Sequence, residues 1–537
     1  MNNSGEGRFA PIEAIEPANE REKPIVEKLP LPDEFINVLE ANDMSEHARV
    51  YRATVELASA LQEIGGRALL VGGCIRDMLA HKIPKDFDIE VYKLQPEQIE
   101  EVARRFGKVS EVGKAFGILK ISLGEGVDID LSLPRADSKT GAGHKGFDVS
   151  IDPDMSVTEA AKRRDFTINS MVGDPLTGEI FDPFGGAQDL KDRILRVTDA
   201  ERFRDDPLRV MRALQFVGRL GLSIDPESRQ IISSMVPELK DLPKERLYEE
   251  WKKLLLKSGK PSLGLTAGMA LGVFNEIHPE FPPLAATPQE PEWHPEGDAW
   301  VHTLMCVDEA AKIIRREQLD EETALTVMLS TLCHDLGKPT TTKQEEKKIT
   351  SYGHEAAGEE PAKKFLATLG APAVVRDKVA RLVAMHLMPI QFYGDETLRH
   401  QDVSDGSIRR LAANLSPATI NELVLVSEAD VIGRGPFEDP EVKDQLLLNL
   451  HEFPAGKWLL TRARAIEVEN SKPVSLLRGR DLMLLGFKPG EHVGKIVKLA
   501  DALRDEKAMT REAILQLLNG REKDPAALIE EMNALLR

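Results

Sequence analysis

Residues 69–94, LLVGGCIRDMLAHKIPKDFDIEVYKL, decide how the first part of this chain folds. Leu69, Leu70 and Val71 form an apolar run that predicts a buried strand. Gly72 and Gly73 end it in a turn without Cβ atoms, where backbone N–H groups can approach an anion closely. Residues 74–80 read as a short helix whose N-terminus also favours negative charge. Alternation then resumes, with Phe87, Ile89 and Val91 on one strand face and Asp86, Asp88 and Glu90 on the other. Both aspartates therefore share the open face, downstream of a phosphate cradle. Such a pair suits two Mg²⁺ ions that activate a hydroxyl and stabilise a leaving pyrophosphate. D-x-D alone also decorates ordinary solvated strand edges; the GG-x-x-R-D segment before it, ending in Arg76 and Asp77, favours chemistry.

Working outward, residues 127–133 (VDIDLSL) alternate as a strand with Asp128, Asp130 and Ser132 on one face. Asp130 reads either as a third carboxylate near the metals or as a solvated strand position. Residues 135–147 (RADSKTGAGHKGF) carry three glycines and no apolar period, so a mobile loop is expected. In RRDFTINSM, from Arg163 to Met171, Asp165 reads as a helix N-cap. In RFRDDPLRVMRALQF, a helix would align 206, 209, 212 and 219 on one face, with Leu208, Met211 and Leu214 nearer the core. In KERLYEEWKKL, the spacing of Glu245, Arg246, Glu250 and Lys253 suggests helix support rather than chemistry.

A second constellation consists of His302, the adjacent His334 and Asp335, and Asp430, in AWVHTLM, LCHDLGKPT and SEADVIGR. An adjacent His and Asp can chelate one metal from a helix, with a distant His and Asp completing an open site. His354 and His386 read as additional ligands or as phosphate-binding groups.

The bulk numbers bound the rest. A length of 537 residues predicts about three to four domains. Hydrophobic and charged contents of 42% and 30% describe a soluble globular chain without a membrane span. The N-terminus lacks the order of a signal peptide. Of three cysteines, Cys74 and Cys333 lie beside the motifs, no disulfide framework is possible, and a cytoplasmic location is expected. The net charge of −19 argues against indiscriminate nucleic-acid binding. Locally the sign reverses: residues 455–523 hold 14 Lys+Arg against 9 Asp+Glu, and residues 193–219 hold 7 against 4. Local basic surface on an acidic protein fits a selective RNA ligand; ordinary helical charge patterning is the alternative for the C-terminal stretch. Residues 1–45 read as a poorly ordered arm or a short packed extension, 282–295 as a linker, and 437–440 and 489–490 as breaks in a helical second half.

Taken together, the motifs resemble the class II tRNA nucleotidyltransferase and bacterial poly(A) polymerase family, from about residue 69 to 255, and an HD phosphohydrolase-like domain from 293 to about 433. The resemblance implies an α+β chain: a polymerase-β-type head with a mixed sheet, then all-α neck, HD and C-terminal regions. The expected divisions are 1–45 (arm), 46–192 (head), 193–281 (neck), 293–435 (HD) and 455–537 (tRNA-binding region). It implies template-independent addition of CCA to the 3′ end of tRNA from CTP and ATP, with Asp86 and Asp88 holding Mg²⁺. Gly73, Arg76, Arg164, Asp165 and Asn169 would meet the incoming nucleotide. Asp206 and Arg209, with Arg212, would read C or A by their hydrogen-bonding edges; Asp205 stands where the family has Glu. The loop at 135–147 leans towards full CCA or A addition. For the HD domain the resemblance implies a divalent transition metal such as Ni²⁺ or Mn²⁺ on His302, His334, Asp335 and Asp430, with cyclic phosphodiesterase, 2′-nucleotidase or phosphatase activity. Arg478, Arg480, Lys488 and Lys495 are the candidates for gripping tRNA. The rivals are an A-adding enzyme or poly(A) polymerase and, from another class, a metal phosphohydrolase with an RNA-binding head.

Overall fold

The computed structural model describes residue 29 and residues 32–42, 44–84, 86–111, 118–124, 128–139, 147–346, 348–435 and 453–537. Most of the expected arm, the tip of the loop (140–146) and the break at 437–440 lie outside the described residues. The chain divides into two compact units, one ending at Asp205 and the other running from Asp206 to Arg537.

The first unit is built on the strands anticipated around the Gly-Gly turn. β1 (Arg67–Val71), β2 (Ile89–Tyr92), β3 (Lys108–Glu111), β4 (Ile118–Ser122) and β5 (Asp128–Ser132) join two later strands in one sheet. A two-stranded hairpin, β6 (Arg135–Lys139) and β7 (Phe147–Ile151), stands apart from it. β8 (Val172–Gly173) and β9 (Ile180–Phe181) complete the seven-stranded order β3-β4-β5-β2-β1-β8-β9. β2 pairs in parallel with β5, whereas β1 pairs antiparallel with β2 and β8, so the sheet is mixed. Alternation divides β1 between two cores. Ala68 and Leu70 join Ile89, Val91, Ile129 and Leu131 on one face, and Leu69 and Val71 join Tyr92, Ala160 and Val172 on the other. The helix Pro32–Ala41 belongs to the first core, where the Phe35 ring meets Tyr51 at 4.8 Å and Phe87 at 6.3 Å.

Two expectations change here. The loop at 135–147 is flanked by paired strands, Arg135 opposite Ile151 and Lys139 opposite Phe147. A ladder needs only backbone N–H and C=O groups, so a polar stretch without apolar period can still form one. Asp165 caps no α-helix: residues Thr167–Asn169 make a single 3₁₀ turn, and Asp165 Oδ1 accepts from Phe166 N and Asn169 Nδ2.

The second unit is almost wholly helical, as the 3.6-residue period required. The helix Lys244–Lys257 packs on Leu208–Leu220, and Ala299–Arg316 on both Glu321–Cys333 and Ile420–Ile432. Trp251, 1% exposed, anchors an aromatic cluster: its ring lies 5.8 Å from Phe274 and 5.4 Å from Phe365, and its Nε1–H donates to His278 Nε2 at 3.0 Å. A separate apolar cluster from Leu477 to Met532 holds the C-terminal helices together. The linker at 282–295 is not a plain connector, since it opens with a 3₁₀ helix, Pro282–Ala286, and its remainder lines a cavity described below.

Trp251→Ala removes the largest fully buried side chain and leaves His278 Nε2 without its donor. The expected loss is about 3–5 kcal/mol, read by denaturant unfolding of the full chain. A loss below about 1 kcal/mol would mean that the cluster collapses around the gap.

Candidate active sites

In the first unit, Gly72 adopts φ +75°, ψ −130°, a conformation open to glycine, and Gly73 begins the helix Gly73–Leu79. A Cβ on Gly72 would lie 3.3 Å from Arg164 NH1, and one on Gly73 3.2 Å from Arg76 NH2. The glycine pair thus lets two guanidinium groups close on the turn. They have different fates. Arg76 is 3% exposed and committed: Nε and NH2 donate to Asp77 Oδ1, and NH1 donates to Asn169 Oδ1 at 2.7 Å. Asn169 passes the chain on to Asp165 at 2.9 Å. Arg164 is half-buried and reaches Glu90 Oε2 at 3.5 Å, an oxygen that also accepts from Tyr92 OH at 2.6 Å.

Beyond the turn, Val71 N–H donates to Asp88 O at 3.0 Å, which sets the phase of the acidic strand. Phe87 is buried while Asp86 and Asp88 are exposed, as alternation requires. The parallel register pairs Ile89 with Leu131, so Asp130 stands at the position beside Asp88. Asp130 is exposed and 3.5 Å from Lys120 Nζ. The Asp88 carboxyl is raised above its ordinary value, first by partial desolvation from the surrounding protein, then by the charges of Asp130 and Asp86, with Arg164 opposing. Acids that repel one another at one strand edge suit a divalent cation.

Among the base-reading candidates, Asp206 precedes its helix rather than lying in it, because Pro207 sits at the boundary of Leu208–Leu220. Its Oδ1 accepts from Leu208 N, and its Oδ2 accepts from Arg246 NH2 at 2.8 Å. Arg246, read as helix support, therefore fixes that carboxylate. Arg209 and Arg212 are half-buried, Arg212 lying 5.3 Å over the Phe216 ring. Arg478, Arg480, Lys488 and Lys495 are all exposed.

The second constellation converges within the second unit. Side-chain caps start its helices: Asp298 for Ala299–Arg316, Asp320 for Glu321–Cys333, and Thr419 with Glu422 as a capping box for Ile420–Ile432. These helices bring His302, His334, Asp335 and Asp430 together, each no more than 2% exposed. His354 and His386 join them. Every one of the four imidazoles turns Nδ1 outward. His334, His354 and His386 meet the carbonyls of Thr331, Ser351 and Val383 at 2.7, 2.8 and 2.7 Å, and His302 meets Glu296 Oε1 at 2.8 Å. A carbonyl can only accept, so Nδ1 carries a proton in each ring, and Nε2 offers a lone pair whenever the ring is neutral. Those Nε2 atoms face each other in two pairs, His302 with His334 and His354 with His386, both at 3.3 Å. Two such nitrogens so close call for a proton or a metal cation between them, and Asp335 and Asp430 raise the His334 pKa although burial opposes them. Asp335, 1% exposed, has no hydrogen bond to either oxygen, although Lys338 Nζ lies 2.8 Å away and His354 Nε2 3.4 Å. Burial would raise its pKa, but His334 and Lys338 hold it well below the ordinary value; Arg434 and His302 do the same for Asp430. Burial, then the neighbouring His354 and His334, lowers His386 to about 3. The donors fall into two sets, His302, His334 and Asp430 in one, Asp335, His354 and His386 in the other. Asp335, His354, His386 and Asp430 border a cavity of about 410 Å³ whose wall includes Lys338, Lys348 and Arg434, cations suited to a phosphate ester.

Sequence reading missed Glu296 and His294. Glu296 Oε1 accepts from the Nδ1 atoms of both His302 and His294, and Oε2 accepts from Gly435 N at 3.0 Å. These donors hold its pKa below the ordinary value although burial opposes them. His294 lies in the proline-rich linker and Glu296 directly after it, where no period marks them. Cys333, adjacent to His334 in sequence, takes no part in the clusters found among the described residues.

An acidic edge on a mixed sheet beside a Gly-Gly turn, followed by helices that carry an HD cluster, defines a nucleotidyltransferase-type head joined to an HD-type metal site. Residues 68–196 match the poly A polymerase head domain, 221–284 the probable RNA and SrmB-binding site of polymerase A, and 300–435 the HD domain. The multifunctional CCA protein of Actinobacillus pleuropneumoniae serotype 5b (strain L20) is 32% identical over 407 residues, covering 74% of this chain and 92% of the relative. That of Stenotrophomonas maltophilia (strain K279a) is 33% identical over 390 residues, covering 71% and 90%. Among solved structures, the Bacillus stearothermophilus CCA-adding enzyme in complex with CTP superposes with a TM-score of 0.57 at 21% identity, covering 88% of this chain and 99% of that one. A CCA-adding enzyme with ATP gives 0.55 at 18%, covering 91% and 94%. The chain belongs to the family of multifunctional CCA proteins, nucleotidyltransferases that carry an HD domain.

Glu296→Gln removes the anion behind His302 and should weaken divalent-metal binding at the HD cluster about ten- to a hundredfold. Competition with a chromophoric chelator measures it. Unchanged affinity would show that His302 needs no carboxylate behind it.

Proposed function

We propose that this protein completes the 3′ end of tRNA by adding C, C and A from CTP and ATP without a nucleic-acid template. The observation that carries the reading is the register-fixed acidic edge of Asp86, Asp88 and Asp130 beside the glycine turn. Asp86 and Asp88 would hold Mg²⁺, which when bound activates the attacking tRNA 3′-hydroxyl and stabilises the pyrophosphate that leaves the α-phosphate. The chain's own residues do the positioning. Gly72 and Gly73 leave room for phosphate oxygens at the turn, and Arg164 supplies a cation to the triphosphate. Arg76 acts at one remove, holding Asn169 and through it Asp165 towards the ribose. Asp206, held by Arg246, offers an acceptor to the exocyclic amine of C or A. Arg209 offers a donor to the ring nitrogen, with Arg212 beside it. UTP and GTP present the opposite pattern at those atoms. The exposed Arg478, Arg480, Lys488 and Lys495 contact tRNA phosphates. The working divisions are 46–192, 193–281, 293–435 and 455–537, in a cytoplasmic protein.

The HD cluster supports a second activity, hydrolysis of phosphate esters such as 2′,3′-cyclic nucleotides, with Ni²⁺ or Mn²⁺ on His302, His334, Asp335 and Asp430. The facing Nε2 pairs and the unbonded Asp335 oxygens fit such an ion. The metal when bound supplies a nucleophilic hydroxide; Lys338 and Arg434 steady the phosphate oxygens and His354 and His386 complete the donor set.

Asp88→Ala should abolish CMP incorporation into tRNA lacking its 3′ end while leaving tRNA affinity within about threefold, since phosphate contacts elsewhere carry binding. Near wild-type incorporation would remove Asp88 from the chemistry. Asp335→Ala should reverse the pattern, losing cyclic-nucleotide hydrolysis and keeping CMP incorporation. A folded variant that lost both would contradict separate sites. Asp206→Ala should admit UTP and GTP, compared side by side with CTP and ATP; an unchanged preference would make that carboxylate structural.

A further inference from the structure

The cavity beside the HD donors is larger than a phosphate group requires. Its volume of about 410 Å³ falls in the range of about 300–1,000 Å³ that holds whole small molecules. Two aromatic side chains line it, Trp293 and Tyr352, and the metal and phosphate chemistry gives neither a role. Each stands close in sequence to a histidine of the cluster. Trp293 precedes His294, whose ring lies 4.7 Å from that of His302. Tyr352 lies two residues before His354. Whatever rests on these rings is therefore near the donors.

The backbone under both rings is fixed. Trp293 N–H and His294 N–H both donate to Glu290 O. The Glu290 carboxylate reaches across to accept from Ile349 N at 2.8 Å, which ties this turn to the hairpin of Lys343–Gln344 and Ile349–Thr350. Tyr352 lies two residues past that hairpin. On its other side Gly353 takes φ +78°, and Ser351 O accepts from both N and Nδ1 of His354. Despite that support the Tyr352 residue is 81% exposed, and Trp293 is half-buried. Neither ring meets another aromatic side chain among the described residues. The hairpin also carries Lys348 into the cavity wall. Lys338 and Arg434 are paired with Asp335 and Asp430, whereas Lys348 has no carboxylate partner among the described residues.

A single exposed aromatic residue is normal surface and needs no explanation. Two that line one polar cavity with a free cation are different, because a flat apolar face beside a cation matches a nucleobase and its phosphate. We propose that Trp293 and Tyr352 are specificity-determining residues of the HD cavity, holding the base of a nucleotide while its phosphate ester meets the donors. The proposal rests on the phosphohydrolase reading of this site and names its substrate class: nucleoside phosphates rather than phosphate esters of base-free alcohols. Every base has a π-face, so stacking accepts purine and pyrimidine nucleotides alike. Lys348 supplies a cation to the phosphate.

The test uses the full chain loaded with Ni²⁺ or Mn²⁺ and two cyclic esters. One is adenosine 2′,3′-cyclic phosphate; the other is glycerol 1,2-cyclic phosphate, which keeps the cyclic ester and lacks the base. Trp293→Ala and Tyr352→Ala should each raise KM for the nucleotide about five- to a hundredfold, the loss expected for one base–aromatic stack, with kcat nearly constant. Trp293→Phe and Tyr352→Phe should restore most of it. KM for the glycerol ester should hardly move. An equal loss on both esters, or no loss on either, would overturn the proposal. Equilibrium dialysis of 2′-AMP separates this proposal from the phosphohydrolase reading, since the difference between unaltered and alanine proteins reports the cavity alone. If neither ester is hydrolysed but 2′-AMP binding still depends on both rings, the hydrolase reading fails and the base platform stands. If the nucleotide is hydrolysed and 2′-AMP binds the alanine proteins equally well, the platform fails and the hydrolase stands. Absence of both hydrolysis and ring-dependent binding would overturn both.

Discussion

Outward donation by imidazole Nδ1–H is the interaction on which the HD centre depends. Three of those donors end on backbone carbonyls three residues back in the chain, and the fourth ends on Glu296. A carbonyl cannot donate, so each bond keeps a proton on Nδ1 and directs Nε2 inward, a lone pair whenever the ring is neutral. The rings cannot turn away without losing a buried hydrogen bond, which costs about 1–3 kcal/mol. Four electron-rich nitrogens and two buried carboxylates are thereby held within a few ångströms before any ion arrives. Lys338 and Arg434 keep that negative charge tolerable by pairing with Asp335 and Asp430.

The close approaches that assemble this centre need missing side chains. A Cβ on Gly337 would lie 2.0 Å from His354 O, so the chain carrying His354 reaches Asp335 only because residue 337 is glycine. Gly433 does the same where Asp430 meets Cys306. In the first unit the Gly-Gly turn admits Arg164 and Arg76 by the same means. The two sites differ in how they treat water. The acidic edge of the first unit is exposed, as a site for a charged polymer end and a triphosphate must be. The HD donors are buried, which strengthens every electrostatic contact and restricts entry to the cavity.

Much of both sites was legible from residue order, because local periods carry local geometry. Alternation from Asp86 to Val91 placed the aspartates on one face, and β2 with its preceding residues bears this out by burial. The turn at Gly72 and the helix after it also lie where spacing put them. The adjacent His334 and Asp335 announced themselves, being neighbours in sequence. Where reading failed, the cause was a backbone ladder without a side-chain period, as in β6 and β7, or a contact between distant segments. Asp165 looked like a cap because its type favours caps, yet its partners are a 3₁₀ turn and Asn169.

The sequence by itself determined the strands around the glycine turn, the helical second half and the leading residues of both constellations, since periods of two and 3.6 and short motifs act over neighbouring residues. Tertiary structure alone decided the rest. It set Asp130 beside Asp88 through a parallel register that joins strands about forty residues apart in the chain. It tied Arg246 to Asp206, forty residues away, and so made a supporting helix part of a candidate reading site. It turned Glu296, just past a proline-rich linker, to orient His302, and set Cys306 against Asp430 across more than a hundred residues. No local pattern encodes such pairings, because they follow from which helices pack and from where a glycine lets them touch.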